Sequence, residues 1–425
     1  MKTFELIAPC HFGLEAVLKR EIQDLGYEIS EVEDGKVTFL GDAEAIVRAN
    51  IFLRTTERIL LKVGKIKAVT FEELFEKTKA LPWEDYIPVD GKFWVAKANS
   101  VKSQLFSPSD IQSIMKKAMV ERLKSVYHVG WFEEDGPSYP IRVAFMKDVA
   151  TIGIDTTGVS LHKRGYRQLT SKAPITETLA AALLKLTPWN KDRILVDPFC
   201  GSGTFPIEAA MMAANIAPGM NRSFLSEVWK NLISRKHWYN IHDEANDLVN
   251  LDIETDIQGY DLDGEIIKAA RENARLAGVG KLIHFQQRDV KDLSHPKKYG
   301  FVVTNPPYGE RIEERENLDV YKRQGYTRVT RDVKPDIVAP GVNIQTTAPE
   351  GGYAVQTGTS FAAPFVTGAA ALLMEWGIVR GNDPFLYGEK VKAYLRRGAR
   401  RMTGGEYPNE KVGYGMLCVR ESIPE

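Results

Sequence analysis

The sequence predicts an α/β protein made of several modules, and three observations carry that expectation. In residues 193–204, RILVDPFCGSGT, an apolar run of strand length (Ile194, Leu195, Val196) ends in Asp197. It then passes through Pro198, Gly201 and Gly203 into an apolar helical segment over 205–214. The same grammar recurs downstream: strand 257–260 leads to Asp261, 282–286 to Asp289 and 301–304 to Asn305. The length, 425 residues, suits about three domains at about 150 residues each.

The chain begins with alternating strands and helices. Residues 4–8 are strand-like. Leu14, Val17, Leu18 and Ile22 form one helical face within 13–25, and a strand over 37–40 follows the Asp34-Gly35 turn. A second helix runs through Ile46, and a strand is expected over 58–63. From about residue 66 a second α+β unit follows, with helix 70–79, strand 93–98, helix 108–126 and strands 141–146 and 151–154. Lys97, Lys102, Lys116, Lys117, Arg122 and Lys124 cluster there, either as a phosphate-contacting face or as a solvated helix surface.

Residues 161–167, LHKRGYR, place His162, Lys163, Arg164, Tyr166 and Arg167 on a short Gly-containing segment. Guanidinium groups on phosphate with a ring free to stack suit a nucleic-acid strand. Arg164 and Arg167 equally suit internal salt bridges that fix a linker. A helix with Glu177, Leu179, Leu183 and Leu184 leads into the strand ending at Asp197. After the glycine turn, 215–252 form an insertion rich in aromatic and basic residues (Trp229, Arg235, Lys236, His237, Trp238, Tyr239). It reads as a helical cover packed on its tryptophans rather than as a substrate-side flap. The α/β pattern then resumes, with a helix that Gly278 stops.

Composition bounds the function. The sequence is 44% hydrophobic and 26% charged, as in a protein with ordinary buried cores, and its formal net charge of zero makes any nucleic-acid surface local. Three scattered cysteines (Cys10, Cys200, Cys418) exclude a disulfide framework or four-Cys zinc site and suit a reducing, cytoplasmic setting. No N-terminal signal and no apolar run of about 18 residues is evident, so neither secretion nor membrane insertion is expected. No metal is expected.

In an open parallel sheet, ligands bind beyond the carboxyl ends of the strands, where Asp197, Asp261, Asp289 and Asn305 would converge. The glycine turn points to a nucleotide cofactor, because glycines allow close approach and a helix start offers free N–H groups. A P-loop would need Lys before Thr204, and the full dinucleotide fingerprint a third Gly where Pro206 stands.

The runs DPFCGSGT, GYDLD, QRD and NPPYGER resemble the class I S-adenosylmethionine-dependent methyltransferases of exocyclic amines. With LHKRGYR and the two preceding modules, residues 1 to about 317 resemble the THUMP-domain RNA methyltransferases that make N2-methylguanosine in large-subunit ribosomal RNA. The resemblance implies a ferredoxin-like module (1–65), a THUMP RNA-binding domain (66–157) and a Rossmann-like catalytic domain (158–317). It also implies that Asp197, Phe199, Gly201, Gly203 and Thr204 line the methionine end of S-adenosyl-L-methionine, Asp261 its ribose and Asp289 its adenine amine. The catalytic segment would be Asn305, Pro306, Pro307 and Tyr308. There the Asn305 amide oxygen and Pro306 carbonyl accept the amine hydrogens, and Tyr308 stacks on a base swung out of its helix.

After residue 317 the pattern breaks, so the catalytic sheet is expected to be incomplete. Residues 318–324, LDVYKRQ, read as a junction. KPDIVAPG (334–341) and GTSFAAP (358–364) resemble the C-terminal part of subtilisin-like serine proteases, which implies a partial subtilisin-like α/β fragment over 325–425 with Ser360 as nucleophile. No matching Asp and His motifs precede it, so peptidase activity is not expected. The whole is read as a fusion of two truncated proteins that exposes apolar surface. An RNA-binding module alone and a serine hydrolase are the competing functional classes.

Overall fold

The computed structural model describes residues 2–168, 174–294, 296–297, 299–306, 335–347, 352–386, 388–401, 406–409 and 412–424. They fall into two units, 1–306 and 307–425.

The first unit opens with β1 (Phe4–Pro9), α1 (Glu15–Asp24), β2 (Ile29–Glu33), β3 (Lys36–Gly41), α2 (Ala43–Phe52) and β4 (Leu60–Lys67). It continues with α3 (Phe71–Lys79), β5 (Lys92–Val101), α4 (Pro108–Tyr127), β6 (Ser138–Met146) and β7 (Val149–Asp155). The strands form one seven-stranded sheet in the order β2-β3-β1-β4-β7-β6-β5. Every neighbouring pair is antiparallel except β5 and β6. The sheet is continuous across the expected module boundary at residue 65, because β4 pairs with β1 on one side and with β7 on the other. Strand β2 was not evident in the sequence: ISEVE alternates acid with apolar residues and owes its place to the Asp34-Gly35 turn onto β3.

Leu6, Leu18, Ile22, Phe39, Ile46, Trp83 and Met115 fill the core of this half, and the insertion packs onto the same core through Trp229, Ile233, Trp238 and Ile241. Trp229 is fully buried, stacks on Tyr139 with ring centroids 4.7 Å apart and donates its indole N–H to the Ser138 carbonyl at 3.1 Å. Helix α7 (Arg235–Asp247) is held to α2 by Glu244, which accepts from both terminal nitrogens of Arg48 at 2.5 and 2.6 Å. The insertion is therefore a cover, as its tryptophans predict.

The second half of this unit contains α5 (Glu177–Leu186), β8 (Leu195–Asp197), α6 (Thr204–Ala213), β9 (Ile257–Asp261), α8 (Gly264–Leu276), β10 (Ile283–Gln287) and β11 (Phe301–Val302). Among the described residues its sheet has four strands in the order β10-β9-β8-β11, all parallel. The chain moves outward from β8 through β9 to β10 and then returns to the other side of β8, so the strand order reverses there. Helix α8 starts on Asp263, whose carboxylate accepts from the Glu265 and Ile266 amides, and stops where Gly278 takes φ +76°.

In the second unit, β12 (Ile344–Thr347) pairs antiparallel with β13 (Tyr353–Gln356). Three helices follow: α9 (Thr359–Met374), α10 (Gly388–Arg397) and α11 (Val419–Ser422). Its small core holds Ala369, Leu373, Leu386 and Leu395. The helical stretch Thr359–Val379 has 21 residues and mean hydropathy 1.5, long and apolar enough by length and composition to cross a membrane. Ser360, Pro364 and Thr367 interrupt it, so the sequence there is not an unbroken apolar run.

Candidate active site

The carboxyl ends of the four parallel strands lie along one sheet edge. Asp197 closes β8, Asp261 closes β9, and Asp289 follows β10. Asn305 lies three residues beyond β11 and is half-buried. Hydrogen bonds knit these tips together. The Gly201 amide donates to Asp261 Oδ2 at 3.0 Å and the Cys200 amide to the Tyr260 carbonyl at 2.8 Å, which hold the glycine turn against β9. Thr304 Oγ1 donates to Asp197 Oδ1 at 2.6 Å, which places the segment carrying Asn305 beside the end of β8. Asp289 accepts from the Lys291 amide at 2.9 Å and is half-buried. Pro306 is exposed; Pro307 and Tyr308 lie outside the described residues, as does the 318–324 junction.

Both glycines of the turn have positive φ, +52° at Gly201 and +88° at Gly203. A Cβ on Gly203 would meet Phe285 at 3.0 Å and Ala270 and Ile207 at 3.2 Å, so conformation and packing both require glycine there. Gly203 caps α6 without a side-chain hydrogen bond, leaving first-turn N–H groups uncapped. Ser202 Oγ in the same turn is buried without a partner among the described residues.

Asp197 is 1% exposed, and burial pushes its carboxyl up to about 7 against the opposing bonds from Thr304 and the Phe199 amide. Burial also raises Asp261, whose two oxygens take the Gly201 and Asp263 amides. A carboxylate that is costly to ionise when bare becomes favourable to ionise when a cationic ligand group meets it. With uncapped helix N–H groups beside it, this edge suits a zwitterionic amino-acid moiety. A carboxylate of Asp261 has further lone pairs for hydroxyl donors beside its two amide bonds, and Asp289 stands at the same edge. The residues present therefore fit S-adenosyl-L-methionine.

Of the two readings of LHKRGYR, the structure supports the internal one for Arg164 and Arg167 and encloses Tyr166 as well. Arg164 is 2% exposed and donates to the carbonyls of Leu161 (2.7 Å) and Arg54 (2.6 Å). Tyr166 is 2% exposed, its hydroxyl 3.1 Å from Glu208 Oε1, so its ring is enclosed rather than free to stack. Arg167 faces inward, onto Thr204 and Glu177. His162 is half-buried against Glu57 at 2.8 Å, and Lys163 is exposed. The physical reason is desolvation: each buried guanidinium finds carbonyls or a carboxylate that compensate it. In the basic cluster, Lys116 pairs with Glu134 at 2.6 Å and Arg122 with Glu84, while Lys97, Lys102 and Lys117 are exposed. Thr304 and Glu208 escaped the sequence reading. A hydroxyl before Asn305 and a Glu within an apolar helix carry no signal until their partners are known.

In the second unit Ser360 is exposed at the second position of α9, and no histidine follows residue 295 in the sequence. Among the described residues no group of His, Cys, Asp and Glu could hold a metal ion.

Comparison with known proteins gives the family. Three family models match: an RlmL ferredoxin-like domain over residues 5–60, a THUMP domain over 68–155 and an "RMKL-like, methyltransferase domain" over 164–337, which runs past the expected junction. The chain is 49% identical over 328 residues to a Bacillus subtilis (strain 168) protein named "Putative RNA methyltransferase YpsC", covering 76% of this chain and 84% of that one. Among solved structures it is similar to a "predicted N6-adenine-specific DNA methylase" from Listeria monocytogenes str. 4b F2365, at 50% identity and TM-score 0.72 over 76% of this chain and 84% of that one. It is also similar to SMU.472, "a putative methyltransferase complexed with SAH", at 43% identity and TM-score 0.71 over 75% of this chain and 84% of that one.

Proposed function

Because the chain belongs to the RNA methyltransferases that join a THUMP domain to an RMKL-like methyltransferase domain, we propose that it methylates the exocyclic N2 of a guanine in ribosomal RNA. Its cofactor is S-adenosyl-L-methionine and its macromolecular partner is RNA. The observation that supports a methyl-transfer site is the shared edge where Asp197 and Asp261 close β8 and β9, Asp289 follows β10 and Asn305 lies beyond β11; the choice of guanine N2 rests on the resemblance carried by NPPYGER together with LHKRGYR.

When bound, the cofactor supplies a methyl group activated on a sulfonium. The chain's own task is positioning and charge compensation, since in-line transfer to an amine needs little acid-base help. Asp197 and the uncapped N–H groups of α6 would hold the methionine end, with Phe199, Gly201, Gly203 and Thr204 shaping that wall. Asp261 would take the ribose hydroxyls and Asp289 the adenine amine. The Asn305 amide oxygen and the Pro306 carbonyl would accept both hydrogens of the target amine, turning its lone pair toward the methyl group. Pro307 would stiffen that carbonyl, and Tyr308 would stack on the flipped base.

Calorimetric titration with SAH tests the site: the Asp261→Ala variant is expected to bind at least about tenfold more weakly, through loss of charge-assisted bonds. Equal binding by the variant sinks the assignment. Transfer of labelled methyl to ribosomal RNA, followed by nuclease digestion, is expected to give N2-methylguanosine. Label on adenine N6 would instead support the reading that the Listeria relative's description suggests.

On the wording of 334–341 and 358–364, we read residues 325–425 as a subtilisin-like fragment joined at 318–324 to an incomplete methyltransferase sheet, and Ser360 as a nucleophile without its base. A cytoplasmic setting, where RNA and cofactor meet, completes the reading; cell fractionation that finds the protein elsewhere removes it.

A further inference from the structure

The segment 161–167 ahead of α5 carries Arg167, whose side chain is 12% exposed. Its Nη2 donates to Thr204 Oγ1 at 2.8 Å and to the Ile175 carbonyl at 2.8 Å, and its Nε faces Glu177 Oε1 at 3.1 Å. Thr204 is the first residue of α6 and Glu177 the first of α5. One residue earlier, the Tyr166 hydroxyl donates to Glu208 Oε1, also on α6. Thr204 and Glu208 are four apart and so share a helix face. The segment thus lies along α6 as a strap, and Arg167 is its grip at the end where the helix meets the glycine turn.

We propose that Arg167 is a positioning residue for S-adenosyl-L-methionine: by holding Thr204 it fixes the first turn of α6 in the orientation that presents its N–H groups to the cofactor. Two further observations support this. Glu177 is 3% exposed and its Oε2 has no hydrogen-bond partner among the described residues, so the buried carboxylate depends on the guanidinium that faces it. Glu177 in turn fixes the plane of that guanidinium. Arginine suits the site better than lysine, since its rigid planar fork spreads donors over Nη2 and Nε to meet a hydroxyl, a carbonyl and a carboxylate, whereas an ammonium gathers its three donors on one nitrogen. The cost of keeping a half-satisfied carboxylate directly behind the cofactor turn is understandable if the turn needs an immobile anchor.

The inference rests on the reading of residues 197–204 as the cofactor site, and the experiment separates the two. SAH is titrated into the full chain and into the R167K, T204V, R167K/T204V and T204S variants, with thermal unfolding recorded for each. R167K and T204V are each expected to weaken SAH binding about tenfold, the size of a lost charge-assisted hydrogen bond. The double variant should be no weaker than the worse single one, because both changes break the same contact. T204S, which keeps the hydroxyl, should bind within about threefold of the unaltered protein. RNA binding without SAH should be unchanged in all of them. The proposal is overturned if R167K binds SAH as tightly as the unaltered protein, if the losses multiply in the double variant, or if affinity falls only in step with the melting temperature. Should R167K fail to fold, T204V and T204S decide alone, and equal binding by the two overturns it. Failure of the unaltered protein to bind SAH would instead sink the reading of the site.

Discussion

Asp197 combines three properties that seldom coincide: it ends a strand, it is almost wholly enclosed, and burial raises its carboxyl to about 7. Because its folded-state value lies above its ordinary 3.8, the stability it contributes is full below about pH 4 and is lost as pH rises through about 7. Cofactor binding has the opposite sign, since a cationic group of the ligand favours the ionised carboxylate. SAH affinity is therefore expected to rise roughly tenfold between pH 6 and pH 8, tracking the ionised fraction of a group titrating at about 7. Calorimetry at the two pH values checks this, with Asp197→Asn expected to flatten the dependence; a flat response in the unaltered protein refutes it. Cys200 lies next to the same turn, and burial raises its thiol well above the usual range, which keeps it a packing residue rather than a nucleophile.

At the scale of elements, the insertion decides how the two halves of the first unit adhere. Trp229 is sequestered within the core of the N-terminal sheet although it belongs to the methyltransferase half of the chain. Trp229→Ala is expected to destabilise the protein by about 3–5 kcal/mol, the cost of an aromatic cavity in a packed interior, read as a lower urea midpoint. A change below about 1 kcal/mol would mean the cover is not fastened there. Which elements were legible follows from where their causes lie. Strands β8 to β10 were evident because apolar runs end in Asp or Gly within a few residues, and α8 because Gly278 can adopt the backbone that stops it. The inward turn of Tyr166 was hidden because its partner, Glu208, stands 42 residues away, and a sequence displays the charge but not the neighbour. For the same reason the edge shared by Asp197 and Asn305 could be expected from the parallel-sheet rule, whereas the Thr304 hydroxyl that joins them could not.

At the scale of the whole molecule, the two units differ in how much interior they own. The first builds two extended cores, one under each sheet; among its described residues the second has four buried apolar side chains and a long helix that is largely exposed. Ser360 stands at the start of that helix, yet its unit has no imidazole of its own because the last histidine in the sequence is His295. A fluorophosphonate probe is therefore expected to leave Ser360 unlabelled, and labelling that survives mild heat but not denaturation would overturn this. In the first unit, β4 joins the N-terminal module to the THUMP domain, paired with β1 at Leu60 and Leu61 on one side and with β7 from Leu60 to Lys67 on the other. A backbone segment held in common cannot be surrendered by one partner without tearing the other. Loss of β4 from the sheet would therefore remove a hydrogen-bonded neighbour from β1 and from β7 together. The family models for the two modules stop at residue 60 and start at residue 68, at either end of a strand that hydrogen-bonds to both.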